Sequence, residues 1–317
     1  MKKAKIQYKI KLMFQNIYNF LNKINIKPKK KNLANYTTYK IGGISKLFIS
    51  PKTIKDIEDI FKVAIEEKVK IFVLGGGSNL LINDEGEIDF PIIYTGNLNK
   101  IEVKNHQITA ECGANFDELC HFAMQNELSG LEFTYGLPGT LGGAIWMNAR
   151  CFGSEISEIL DKIVFIDETG KTICKKFEKN EFSYKISPFQ NKNIIILKAT
   201  LNLIKGNKKQ IENIMKQNKQ KRIDKGHYLF PSSGSTFKNN KKFLKPTGKI
   251  IEECNLKGLK IGGASVSQYH GNFIINNNNA SSKDIKTLIK RVKTEVKKQT
   301  NFLLEEEILY IGFNDLN

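Results

Sequence analysis

Apolar residues recur at helical spacing over 54–68, IKDIEDIFKVAIEEK, and predict a helix. A short apolar strand follows in IFVLGGGSNLLIND (71–84) and runs into a glycine loop. Strand-like pieces recur at 91–95, 101–104 and 107–112, and a helix at 116–127. A glycine-rich segment, GLPGTLGGAIWMNARCFG, occupies 136–153. Strands return at 162–167 and 171–176, with a long apolar one at 194–204. A polar helix over 207–222 reads as a linker into a second unit. That unit holds a serine-rich stretch, helices near 247–255 and 282–299, and a last strand around 307–312. The Asn276–Asn279 run reads as a loop. Strands and helices do not alternate strictly, so the pattern predicts an α+β fold rather than a doubly wound sheet.

The 317 residues exceed one ordinary core and predict two or three domains. Hydrophobic residues, at 40%, suffice for a sizeable interior. No run of 18 apolar residues is present, so no membrane span is expected. The start, MKKAKIQYKIKLMFQNIYNFLNKINIKPKKK, is basic and partly helical in pattern, with no small-residue cleavage site. Met13 offers an alternative start. Five scattered cysteines without a CxxC pair read as free thiols in a reducing cytoplasm. Four dispersed histidines show no zinc-type spacing.

A formal charge of +18 admits nucleic-acid binding as one reading. The lysines, however, run along the whole chain mixed with glutamate, and no aromatic or recognition-helix motif accompanies them. The expectation is therefore no nucleic acid. A basic surface instead attracts anionic small molecules such as dinucleotides and nucleotide sugars.

Two glycine loops carry candidate chemistry. Gly75, Gly76, Gly77, Ser78 and Asn79 follow a strand, where glycine lets backbone N–H groups approach a phosphate. The alternative is a tight turn. In the second loop, Pro138 and Gly139 mark a turn and Thr140 is placed to cap a helix. Gly142, Gly143 and Ala144 leave that helix start nearly bare, as a pyrophosphate site requires. Close packing of the helix on a sheet is the alternative. The stretch PSSGSTFKNN (231–240) poses a similar choice between hydroxyls that shape a turn and one that donates a proton.

VLGGGSNLL, GLPGTLGGAIWMNA, PSSGSTFKN, GGASVSQYHGNFIIN and LLEEEILYIG together resemble the UDP-N-acetylenolpyruvoylglucosamine reductase family, over roughly residues 33–313. The resemblance implies a basic extension over 1–32 and a two-lobed FAD-binding domain of the vanillyl-alcohol-oxidase-like type over 33–205. A substrate-binding α/β domain over 206–317 would follow, its final strand returning toward the FAD lobe. It also implies a monomer in the cytoplasm that uses FAD and NADPH to reduce an enolpyruvyl UDP-sugar in peptidoglycan precursor synthesis. Hydride would go to the terminal alkene carbon and a proton to the carbon bearing the carboxylate.

On this resemblance Ser235 is the proton donor, leaving Ser232, Ser233 and Thr236 to shape the turn. Glu307 would polarise the substrate carboxylate, which requires a protonated or proton-sharing carboxyl. Strand alternation puts Glu305 on the same face as Glu307 and Glu306 on the other. The family carries Arg where this chain has Lys185, in Tyr184-Lys185-Ile186-Ser187. The charge is kept and the planar bidentate fork is lost. Where the family carries glycine this chain has Arg150, either strained by a positive φ or reaching the flavin pyrophosphate. Asn239 would contact the uridine diphosphate part and Arg222 would help hold phosphate. The chain resembles the branch that lacks an inserted tyrosine loop, so substrate closure would rest on domain motion. Two rivals remain: another FAD oxidoreductase of the same flavin-binding group, and a non-enzymatic basic binding protein.

Overall fold

The structure, a computed structural model, describes Leu12, residues 15–24 and residues 26–313. The chain forms two compact units. The first takes Met1–Lys31, Ser45–Gly75 and Asp89–Glu212; the second takes Asn32–Ile44, Gly76–Ile88 and Asn213–Asn317. Two early segments, one on each side of Ser45–Gly75, therefore belong with the C-terminal third of the chain.

In the first unit a parallel arrangement joins Ile44–Ile49, Ile92–Tyr94 and Phe72–Leu74, the middle strand pairing with both others. Helix Ile54–Glu66 begins at Thr53, whose side chain accepts from Asp56 N while Asp56 returns a bond to the Thr53 backbone. Its buried residues Ile57, Ile60, Phe61 and Ala64 follow the helical period. The helix at 15–23, part of the basic start, packs here too. Ile17 and the fully buried Phe20 join Ile49, Ile60, Ala64, Val69 and Ile93 in one cluster. Lys23 Nζ donates to Glu67 at 2.5 Å. The apolar period of this part of the start thus serves the core. The alternative start at Met13 lies outside the described residues.

A second sheet of the first unit runs Thr172–Lys176, Leu160–Ile166, Ile195–Asn202, Gln107–Glu111 and Ile101–Lys104, with each neighbouring pair antiparallel. Helix Leu141–Met147 lies against it: Gly142 N donates to Cys112 O at 2.8 Å and Leu141 N to Ala114 O at 2.9 Å. The buried thiols of Cys112 and Cys120 are pushed up to about 12 by burial, which keeps them protonated and unreactive. All five cysteines are free.

The second unit has a sheet in the order Ser232–Ser235, Phe273–Asn276, Ala264–Val266, Lys260–Ile261. Helix Ser282–Thr300 covers it with Ile285, Leu288, Ile289, Val292 and Val296, which join Val266, Ile274 and Phe237 in the core. Leu309–Ile311 pairs in parallel with Leu80–Ile82. The predicted linker helix is Lys208–Asp224. It is more than a linker: Met215, Asn218 and Arg222 form a buried stripe at helical spacing. No described helix is long and apolar enough to cross a membrane.

Beyond that helix His227 packs edge-on to Phe273, with ring centroids 4.5 Å apart. Burial, aided by the nearby Arg222 charge, lowers its pKa from 6.5 to about 3.

Two outcomes are expected. Phe20→Ala should cost about 3–5 kcal/mol of stability in denaturant unfolding, the usual range for emptying a fully buried aromatic site. The His227 contribution should be complete above pH 6.5 and be lost as pH falls toward about 3, because the unfolded ring protonates first. Melting temperatures at pH 7 and pH 4.5 should therefore diverge less in His227→Gln than in the parent protein.

Candidate active site

Ser235 ends a bulged strand. Ser232 pairs with Ile275 and Ser235 with Phe273, so three steps on one strand oppose two on the other. Gly234, at φ +73, absorbs the extra residue. The backbone beyond is pinned from both sides. Asn272 is 2% exposed and holds Phe237 twice: its Oδ1 accepts from Phe237 N at 2.9 Å and its Nδ2 donates to Phe237 O at 2.8 Å. On the other side Glu307 N donates to Thr236 O and Lys238 N to Glu305 O, both at 2.8 Å. Ser235 and Glu307 are thus held within two residues of one backbone bond.

The three acids divide cleanly. Glu305 is exposed and pairs with Lys238 Nζ at 2.5 Å. Glu306 accepts from Lys293 Nζ and from the Tyr310 hydroxyl, each at 2.5 Å. Glu307 is buried, at 8% exposure. Strand alternation would have put Glu305 and Glu307 on one face. The regular strand begins only at Leu309, so that alternation does not reach these residues.

The first glycine loop supports this arrangement. Asn79 Nδ2 donates to Glu307 O at 3.0 Å, and Asn79 O accepts from Leu309 N at 3.0 Å. Its amide therefore steadies the acid segment, a use that the sequence pattern did not suggest. Gly77, at φ +59, lies against the Tyr36 carbonyl, where any Cβ would collide. Gly76 and Ser78 are partly buried in the same turn.

In the first unit Gly75 faces the second loop: a Cβ there would come within 2.6 Å of Thr140 Oγ1. Thr140 occupies the N-cap position of helix Leu141–Met147, but its side chain makes no capping bond. The hydroxyl is buried and has no hydrogen-bond partner. The expected cap is replaced by a polar atom directed at the glycine loop. Gly142 and Ala144 have closer surroundings. A Cβ on Gly142 would meet Cys112 Cβ at 2.8 Å, so its bare backbone lets the helix approach the strand, and Ala144 is buried. Gly143 is exposed, with Thr140 Oγ1 as the nearest atom to its Cβ position at 3.7 Å, and Gly139 turns the chain at φ +128.

Lys185, also in the first unit, sits in a tight turn at φ +60, bracketed by the Ser183–Ile186 bridge. Three side chains fasten that turn to the end of helix Leu141–Met147. Gln190 Nε2 donates to Lys185 O at 3.0 Å and Trp146 O at 2.9 Å. Ser187 Oγ donates to Trp146 O at 2.7 Å, and the buried Asn148 donates to Ser183 O at 2.9 Å. Arg150 is exposed in the Arg150–Cys151 strand, and its φ is not positive. Of the two readings open for Arg150 the strained one is excluded, and positive φ occurs instead at its neighbours Asn148 and Phe152, at 43 and 51.

Asn239 is exposed, and its Oδ1 accepts from Thr247 N at 2.8 Å, at the start of helix Thr247–Glu253. Its carbonyl is thereby committed to shaping the segment after Ser235. Arg222 is 3% exposed, inside the second unit beside His227. Sequence reasoning missed Asn272 and Gln190; the quoted GNFIIN motif contained the first, and nothing short of a fold would have singled out the second. Among the described residues no cluster of His, Cys, Asp and Glu suits a metal ion.

Known proteins match this arrangement over nearly all of its length. Residues 45–174 match the family described as an FAD binding domain, and residues 224–311 the C-terminal domain of UDP-N-acetylenolpyruvoylglucosamine reductase. The reductase of that name from Borreliella burgdorferi is 72% identical over 95% of this chain and all of its own length. That from Treponema denticola is 42% identical over 89% of this chain and 92% of its own. The crystal structure of the enzyme from Thermus caldophilus superposes with a TM-score of 0.76 at 28% identity, over 90% of this chain and 99% of that one. With relatives this similar over nearly its whole length, the chain belongs to the UDP-N-acetylenolpyruvoylglucosamine reductase family.

Proposed function

We propose that this chain, an FAD-dependent reductase of enolpyruvyl-UDP-N-acetylglucosamine in peptidoglycan synthesis, takes its reducing equivalents from NADPH and completes the reduction with a proton from Ser235. The observation that carries this reading is the 2.8 Å bond from Glu307 N to Thr236 O, which ties a buried carboxyl to the residue following the serine.

The residues present fit FAD. The unpartnered, buried Thr140 hydroxyl faces the side-chain-free Gly75, as an acceptor-rich phosphate would require. Gly75, Gly139, Thr140 and Gly143 would hold the cofactor's phosphates. FAD held there, once reduced by NADPH, would supply the hydride for the terminal alkene carbon.

The protein's part is the proton and the charge. Ser235 Oγ–H donates to the carbon bearing the carboxylate, and solvent restores the serine proton. A serine hydroxyl is a weak acid, so it serves only when held within hydrogen-bond reach of a basic carbon. The bulge and the Asn272 clamp provide that fixed placement. Glu307, buried and anchored by Asn79, polarises the substrate carboxylate as charge builds next to it. Lys185 lies in the first unit, and its role rests on the motif alone: a point charge that offsets the enolate. Arg222 and the Nδ2 end of Asn239 are proposed to attract the uridine diphosphate, the first through its charge. The protein is proposed to work as a monomer in the cytoplasm, the free thiols supporting the reducing compartment alone.

Ser235→Ala should bleach its flavin with NADPH at the parent rate, yet lose product formation by about 10²–10⁴-fold. Stopped-flow absorbance of each half-reaction measures this. Equal loss in both halves would remove the donor role. Lys185→Arg should retain activity and Lys185→Ala should lose it; an unchanged Lys185→Ala enzyme would take that residue out of the mechanism.

A further inference from the structure

Tyr39 is completely buried, and the reaction described above does not use it. It stands in the core of the second unit with Phe237, Val266 and Ile274. Its backbone carbonyl accepts from Asn276 Nδ2 at 3.1 Å, so it is fastened to the strand that pairs with the serine segment. Its phenol lies among the hydroxyls of Ser233 and Thr236, which flank Gly234 and Ser235. Burial pushes the phenol up to about 12, with those two hydroxyls pulling the other way, so it remains a neutral donor across the working range.

The Tyr39 hydroxyl and Ser233 Oγ are both buried, and neither completes a hydrogen bond of ordinary geometry, to each other or to any other group. Buried hydroxyls left unpaired are costly, so two that adjoin each other are natural partners. Thr236 Oγ1 is already engaged, accepting from Ile274 N at 3.3 Å. The position of this group matters because of the bulge. In a regular strand Ser233 and Ser235 would share one face. The extra residue at Ser232–Ser235 breaks that alternation, and although both residues are partly exposed, the Ser233 Oγ atom itself is buried.

We propose that Tyr39 is a positioning residue for the proton donor: its hydroxyl holds Ser233 inward, keeps the bulge in register and so sets the direction of Ser235. This rests on the reading of Ser235 as the donor. Tyr39→Phe removes only the hydroxyl and keeps the ring in the core, and Ser233→Ala removes the other half of the pair.

The test compares the holoenzyme with Tyr39→Phe, Ser233→Ala, the double variant and Ser235→Ala. Flavin reduction by NADPH and flavin reoxidation by the enolpyruvyl UDP-sugar are followed separately, the latter in H₂O and D₂O. Tyr39→Phe should keep its flavin and its reduction rate. Its reoxidation should slow by about tenfold, the scale of a small misplacement of a reacting group, with a larger solvent isotope effect and a little-changed KM. Ser233→Ala should lose as much, and the double variant no more than either. A parent-like reoxidation rate in Tyr39→Phe, or a slower one with an unchanged isotope effect, would overturn the inference. Should Tyr39→Phe lose its flavin, the same two criteria apply to Ser233→Ala. If Ser235→Ala cripples reoxidation and Tyr39→Phe does not, only the Tyr39 role fails. If Ser235→Ala reoxidises normally, the donor reading fails and the Tyr39 role with it.

Discussion

A single backbone bond, from Glu307 N–H to the Thr236 carbonyl, organises the second unit. Those two residues are seventy-one positions apart, 307 − 236, yet the bond sets the spacing between the serine strand and the acid segment. Everything nearby keeps the bond in place. Asn272 clamps the residue after Thr236, Asn79 clamps the Glu307 carbonyl, and the parallel pairing of Leu309–Ile311 with Leu80–Ile82 holds the end of the chain. The roles proposed for Ser235 and Glu307 need a geometry set before the substrate arrives. Amides, which do not titrate, fix the backbone around both residues.

The division of labour among three consecutive glutamates follows from the same constraint. Glu305 and Glu306 each meet a lysine, on different elements, and Glu306 also meets Tyr310. These contacts fix the flanks of the segment, and Glu307 is left turned into the protein. Exposed ion pairs of this kind contribute little stability by themselves. Their value here is orientation.

Much of this was legible in the sequence. Helices with a capping residue and a regular apolar period, such as Ile54–Glu66 after Thr53 and Ser282–Thr300 after Ser281, could be read directly because local bonding and burial agree. The α+β class followed from the order of elements. What failed did so where distant parts of the chain decide. Thr140 looked like a helix cap, but its hydroxyl turns toward Gly75, sixty-five residues earlier, 140 − 75. Gly142 was open to a phosphate or a packing reading, and its backbone lies against Cys112 on the neighbouring strand. Arg150 was open to a strained reading, and the strain lies at Asn148 and Phe152. Nothing local marks Gln190, whose contact with Trp146 comes from another segment.

The most direct measurement is an anaerobic absorbance trace of the purified holoenzyme. NADPH is added until the yellow flavin bleaches, and the enolpyruvyl UDP-sugar follows. The account predicts that colour returns with that substrate and in step with formation of the lactyl ether. A flavin that stays bleached after the substrate is added, or a protein that carries no flavin, would contradict it.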